Sequence, residues 1–90
     1  MPNSVDTTTL LDPKQLVWRC RRGIRELDVL FGRFLEEQYP SLELSQKADF
    51  QRLLEVQDPI IMDWLFAKAD PSDLGLRETI VRLRELSGLA

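Results

Sequence analysis

Ile24, Leu27, Leu30, Phe31, Phe34 and Leu35 recur at three- and four-residue steps, and no other feature constrains this chain as tightly. That spacing lays one continuous apolar stripe along a helix and does not fit the two-residue alternation of a half-buried strand. It predicts a helix over about 24–38. Gly23 bounds the helix on one side, either as a left-handed stop for the preceding helix or as an N-cap for this one. Tyr39-Pro40 bounds the other side, because a residue before proline avoids the helical region.

A stripe this apolar needs partners, and the rest of the chain supplies them as short helices. Asp12-Pro13 reads as an N-cap followed by proline at the first helical position. The helix it starts is expected to reach about Arg22, with Leu16, Val17 and Cys20 inward and arginines at its negative end. Ser45 is the expected cap of a third helix burying Phe50, Leu53 and Leu54. Asp58-Pro59 repeats the aspartate-proline start and carries Ile60, Ile61, Trp64 and Leu65 inward. Asp70-Pro71-Ser72-Asp73 reads as a turn. The fifth helix then runs to about Leu86, with Leu76, Ile80, Leu83 and Leu86 on one side, and Ser87-Gly88 closes it. No stretch alternates as a strand, and there is no internal repeat or low-complexity tract. The fold class expected is all-α: a compact five-helix bundle forming a single domain over 12–90, preceded by a flexible, threonine-rich tail over 1–11.

Ninety residues suffice for one modest core, and 43% hydrophobic with 30% charged residues excludes disordered and fibrous classes. The chain has no histidine, which removes the commonest general base and metal ligand and every Ser-His or Cys-His arrangement. Its one cysteine, Cys20, rules out an internal disulfide framework or a cysteine-rich metal site. No apolar run approaches the roughly 18 residues of a membrane span. The first nine residues lack the basic and apolar regions of a secretory signal, so a reducing cytoplasm is the expected compartment.

The charge is unevenly placed. Arg19, Arg21, Arg22 and Arg25 hold four of the twelve basic residues within seven positions, and removing them would take the formal charge from −3 to −7. A basic island therefore sits on an acidic body. Two readings fit Arg21-Arg22-Gly23-Ile24-Arg25-Glu26-Leu27-Asp28. In the first, Gly23 caps the second helix, Glu26 reaches back to a free backbone N–H, and the arginines are solvated helix-end charges. That account leaves four arginines where one or two would satisfy a helix end. In the second, the stretch is a recognition surface, since guanidinium binds carboxylate or phosphate as a fork. Glu26 could then hold one guanidinium in place while others stay outward for a partner, and Gly23 would allow a partner backbone to approach closely.

The run Trp18-Arg19-Cys20-Arg21-Arg22-Gly23-Ile24-Arg25-Glu26-Leu27-Asp28 resembles the signature of the FAD assembly factors of succinate dehydrogenase, the SdhE family, also known under the name CptB-type antitoxin. The family's Arg-Gly-x-x-Glu hallmark is met by Arg22, Gly23 and Glu26. The Tyr39 turn, Arg52-Leu53-Leu54-Glu55, Asp58-Pro59 and Asp63-Trp64-Leu65 come at similar spacings, so the resemblance covers about 16–86. It implies a small cytoplasmic, non-catalytic chaperone that binds the flavoprotein subunit of succinate dehydrogenase, and in bacteria also fumarate reductase. It implies too that the helper promotes covalent FAD attachment to a histidine of that client and binds no cofactor tightly itself. Arg22, Gly23 and Glu26 would contact the client, with Arg21, Arg25 and Asp28 beside them. The alternative is an antitoxin-like or nucleic-acid-binding regulator using the arginine island, against which the net negative charge argues.

Four further features each have a plainer reading. Cys20 could be a thiol acidified by its arginine neighbours, but a small buried residue is the commoner case. Trp18 and Trp64 read as core or corner aromatics, Trp18 being the one placed to be exposed at an interface. Glu55, Asp58 and Asp63 lack calcium-loop spacing, so capping and solvation account for them. Val29, apolar on a polar side, could add contact area to a partner site.

Overall fold

The structure, a computed structural model, describes residues 10–88. The first helix, α1 (Pro13–Arg19), starts as its sequence demands: the Asp12 carboxylate accepts the Gln15 amide at 2.9 Å, and the Gln15 side chain accepts the Asp12 amide at 3.2 Å. These reciprocal bonds satisfy two of the donors a helix start leaves open. The helix stops three residues before the expected Arg22. Cys20 caps it, its amide donating to Leu16, and the chain then turns through Arg21 to Gly23.

The central helix, α2 (Arg25–Glu37), buries Leu27, Leu30, Phe31 and Phe34, while Ile24 and Leu35 are half-buried at its flank. A single 3₁₀ turn, Tyr39–Ser41, ends it at the proline. Helix α3 (Leu44–Leu53) is capped by Glu43 and not by Ser45, which lies in its first turn. The Gln46 side chain accepts the Glu43 amide at 2.9 Å, and that bond places the start two residues earlier than serine preference suggests. Helix α4 (Asp58–Leu65) is likewise displaced by one: Gln57 is the N-cap and Asp58 the first helical residue. The last helix, α5 (Leu74–Ser87), is capped by Asp73, whose carboxylate accepts the Leu76 amide at 3.0 Å, and closes on Gly88 in the left-handed conformation.

These five α-helices form an all-α bundle without strands among the described residues. Helix α5 packs against α2, α3 and α4, and α1 lies on α2. Phe50 on α3 is the hub. Its ring stands edge-on to Phe31 at 5.9 Å, tilts against Phe34 at 4.8 Å and meets Tyr39 at 5.6 Å. Leu27, Leu53, Ile61 and Leu83 are fully buried with these three phenylalanines. Two residues expected inside are outside: Val17 is 50% exposed and Ile60 44%. Helices of seven and eight residues are covered along one line only, so Leu16 with Cys20, and Ile61 with Leu65, take the buried positions.

The expected tail over 1–11 falls mostly outside the described residues. Its last residue, Leu11, is docked: its amide donates to the Gln51 side chain at 3.1 Å and it packs against the core. No helix among the described residues is long and apolar enough to cross a membrane.

Candidate functional site

The arginine-rich stretch forms the corner joining α1 to α2, and two aspartates fix it from different sides. Asp28, in the first turn of α2, turns its carboxylate back over the corner. One oxygen accepts both the Arg22 and the Gly23 amides. This closes the turn as an N-cap would, but from a helical position, because the actual N-cap, Ile24, has no side-chain oxygen to offer. Gly23 sits at φ 85°, where an L side chain is strained, and no atom lies within 4 Å of where its Cβ would be.

Asp58 holds the other side. Arg22 folds inward across the bundle, and its Nε donates to Asp58 Oδ1 at 2.8 Å. One terminal nitrogen donates to the carbonyls of Leu54 at 2.7 Å and Arg19 at 3.0 Å; the other donates to that of Val56 at 2.8 Å. Arg19 ends α1, and Leu54 and Val56 belong to the chain that leaves α3, so one guanidinium ties together an exposed helix end and an inter-helix turn. The side chain is 13% exposed. Such a set suits arginine alone, since an ammonium cannot span four acceptors in one plane.

The expectation that Glu26 orders the corner is therefore corrected. Glu26 lies in the first turn of α2, its side chain exposed and making no hydrogen bond or ion pair among the described residues, and Asp28 does the ordering. The guanidinium held in place is that of Arg22, and it is held by Asp58 and backbone carbonyls and not by Glu26. Arg19, Arg21 and Arg25 do face solvent. Asp58, read as a helix cap, is instead the counter-ion of Arg22. Sequence spacing gives no sign of this pairing, which joins residues 36 positions apart.

Two depressions flank the corner. Arg25, Glu26, Val29 and Arg33 border a shallow one of about 310 Å³ that reaches Ser87 on α5. A larger groove of about 760 Å³ runs between α1 and α2 and down to Tyr39 and Pro40, with Arg21 and Asp28 at the corner end. Val17 lines it, which accounts for that residue's exposure, and Trp18 beside it is 75% exposed. Cys20 forms part of the groove's floor. Its burial pushes the thiol up to about 11, an effect that Arg22 opposes and Asp28 reinforces. The thiol therefore stays protonated at neutral pH and is no nucleophile.

Fold and corner together define a small helical protein whose most elaborated surface feature is an Arg-Gly-x-x-Glu turn, clamped from beneath and open above. The chain belongs to the family described as flavinator of succinate dehydrogenase, whose family model matches residues 14–87. It is similar to the FAD assembly factor SdhE of Coxiella burnetii, with 39% identity over 86% of this chain and 94% of that protein. The protein of the same name from Pseudomonas aeruginosa is 40% identical over 74% of this chain and 80% of its own length. That from Yersinia pseudotuberculosis is 43% identical over 70% and 72%. The name these relatives share denotes an assembly role and not a catalytic one. No solved structure matches the chain significantly.

Proposed function

We propose that this chain is an assembly factor that docks on the flavoprotein subunit of succinate dehydrogenase and promotes the covalent attachment of FAD to it. The observation that carries this reading is the corner itself: Gly23, bare and left-handed, lies between outward Arg21 and the exposed pair Arg25 and Glu26. Arg22 and Asp28 belong to the same docking corner and hold it from within. Backbone can approach backbone at Gly23, while two guanidinium forks and a carboxylate supply directional contacts on either side. Membership of a family described by flavinylation supplies the client.

In this reading the helper does no chemistry. FAD is held by, and becomes bonded to, the client, and the helper binds no cofactor of its own. Affinity for one domain arrangement of the client is enough to raise the population in which the client flavinylates itself. Fumarate reductase is the second client proposed, and the cytoplasm is the compartment proposed. The arginine cluster supports a nucleic-acid reading less well, because Arg22 is spent on the bundle and Glu26 and Asp28 stand among the remaining arginines.

The test is reconstitution. Purified client subunit lacking flavin is incubated with FAD, with and without this chain, and covalent flavin is read by fluorescence in denaturing gels. The wild-type chain is expected to accelerate attachment, and Glu26→Ala and Gly23→Arg to abolish the acceleration while remaining folded. Full activity of both folded variants would overturn the assignment of the corner.

A further inference from the structure

We infer that Asp58 is a positioning residue for the docking corner, acting through Arg22, although it lies on a different helix and contacts none of the corner's exposed side chains. This inference rests on the docking reading above and assigns to it a residue outside the Arg-Gly-x-x-Glu turn.

The corner has two supports of different kinds. Asp28 fixes the backbone of Arg22 and Gly23 locally, within the same turn. Nothing in that local bond fixes the corner relative to α3 and α4. Only the Arg22 guanidinium does so among the hydrogen bonds of residues 21–28, through Leu54, Val56 and Asp58. Of those acceptors Asp58 alone carries charge. A guanidinium largely removed from water needs a counter-ion, and neutral carbonyls replace its hydration without neutralising it. Asp58 is held ready for this task by its place at the start of α4, where the positive end of the helix favours the carboxylate and Pro59 fixes the backbone. Without the charge at Asp58, the guanidinium gains by swinging out to water. Arg22 then releases the end of α1, and the corner, still closed on Asp28, loses its fixed placement against α3 and α4.

The effect on docking is one of population. If only a fraction of molecules hold the corner in its present shape, the apparent dissociation constant rises by the inverse of that fraction. Loss of one charge-assisted hydrogen bond is expected to weaken client binding about tenfold. Asp58→Asn keeps size and shape, so the change is in charge. Asp58→Glu restores the charge on a longer arm and is expected to recover part of the affinity.

The experiment measures three quantities on the full-length chain: affinity for the flavin-free client subunit by calorimetry, stability in urea, and hydrogen exchange at the Arg22 Nε–H and the backbone amides by NMR. Variants are Asp58→Asn, Asp58→Glu, and Arg52→Ala, which breaks ion pairs with Asp49 and Asp73 that include no residue of the corner. The expected result is that Asp58→Asn loses about tenfold in affinity and loses protection at the Arg22 Nε–H, while the Arg22 and Gly23 amides held by Asp28 and the amides of α2 and α5 keep theirs. Asp58→Glu lies between, and Arg52→Ala binds as wild type. Wild-type affinity and protection in Asp58→Asn would overturn the inference. So would an affinity loss that merely tracks lost stability across all three variants, since that is a structural role and not a positioning one. Should the wild-type chain fail to bind the client, the docking reading falls by itself, and retained protection of the Arg22 Nε–H in Asp58→Asn would still overturn the role given to Asp58.

Discussion

Gly23→Ala isolates the backbone requirement of the corner from its chemistry. The position lies at φ 85°, and a Cβ placed there meets nothing within 4 Å. Steric clash with the rest of the bundle is therefore absent, and the cost is that of holding an L residue in the left-handed region, about 1–2 kcal/mol. In a domain of this size each kcal/mol lowers Tm by about 4–8 °C. The variant is thus expected to melt roughly 5–15 °C below wild type and to remain folded at room temperature, given typical total stabilities of about 5–15 kcal/mol. Gly23→Asn, whose side chain tolerates the left-handed region, is expected to recover much of the loss. Gly23→Arg carries the same backbone cost and finds the same open space, so its Tm should match that of Gly23→Ala. Its guanidinium, however, would cover the proposed docking surface, so flavinylation should separate two variants that stability does not. Thermal and urea melts followed by far-ultraviolet circular dichroism give the first comparison, and covalent flavin on the client gives the second. An alanine variant as stable as wild type would refute the claim that the corner depends on a left-handed residue. A loss beyond about 4 kcal/mol would refute the claim that the space is open, since that magnitude requires a clash or a lost network.

Three further outcomes are expected from features outside the exposed corner. Cys20, buried and with its thiol raised to about 11, should resist thiol reagents near neutral pH until urea unfolds the chain; rapid labelling of the native protein would contradict its placement. The Arg52 guanidinium and the Leu76 amide hold the Asp73 carboxyl well below the usual carboxylate range. Its pairing therefore contributes stability fully above about pH 4, the unfolded value, and loses it as pH falls toward the lower folded value. Asp73→Asn retains the cap to Leu76 and should show a shallower fall in Tm across that acid range, a difference that shrinks in high salt because the pair is exposed; parallel curves would refute it. Phe50→Ala removes the ring that three other aromatics touch and should cost about 3–5 kcal/mol in urea melts, enough to approach unfolding; a cost below about 1.5 kcal/mol would mean that Phe50 is not the hub of the core.

The fold was largely legible because its signals are local. The stripe from Leu27 to Phe34, the Asp12-Pro13 start and the Gly88 stop are each set by residues within one or two turns, and each stands where periodicity and capping preference put it. The misplacements occur where a side chain makes a bond that residue type alone does not announce. Gln46 reaching back to Glu43 displaces the expected Ser45 cap, and the three residues after Arg19 leave the helix because Asp28 gathers the amides of Arg22 and Gly23. Hydrophobicity alone points Val17 and Ile60 inward, but short helices covered along one line cannot bury every apolar side chain. At the corner, the pattern located the stretch without sorting its arginines. Which of four neighbouring arginines turns inward is decided by the Leu54 and Val56 carbonyls and by Asp58, all more than thirty residues downstream.

That distance has a consequence for the order in which the molecule assembles. Helix α1 has seven residues, too few to persist alone in water. The bonds that anchor its end to the exit of α3 span 32 to 36 residues, so they form only after the intervening chain has closed. A chain still lacking a seated α4 has no anion for Arg22, and its corner, though closed on Asp28, has no fixed placement against the rest of the bundle. The placement of the proposed docking corner is therefore expected to be completed late and lost early on local unfolding. On the docking reading proposed above, an immature or damaged helper would then fail silently, presenting no half-formed face to a client.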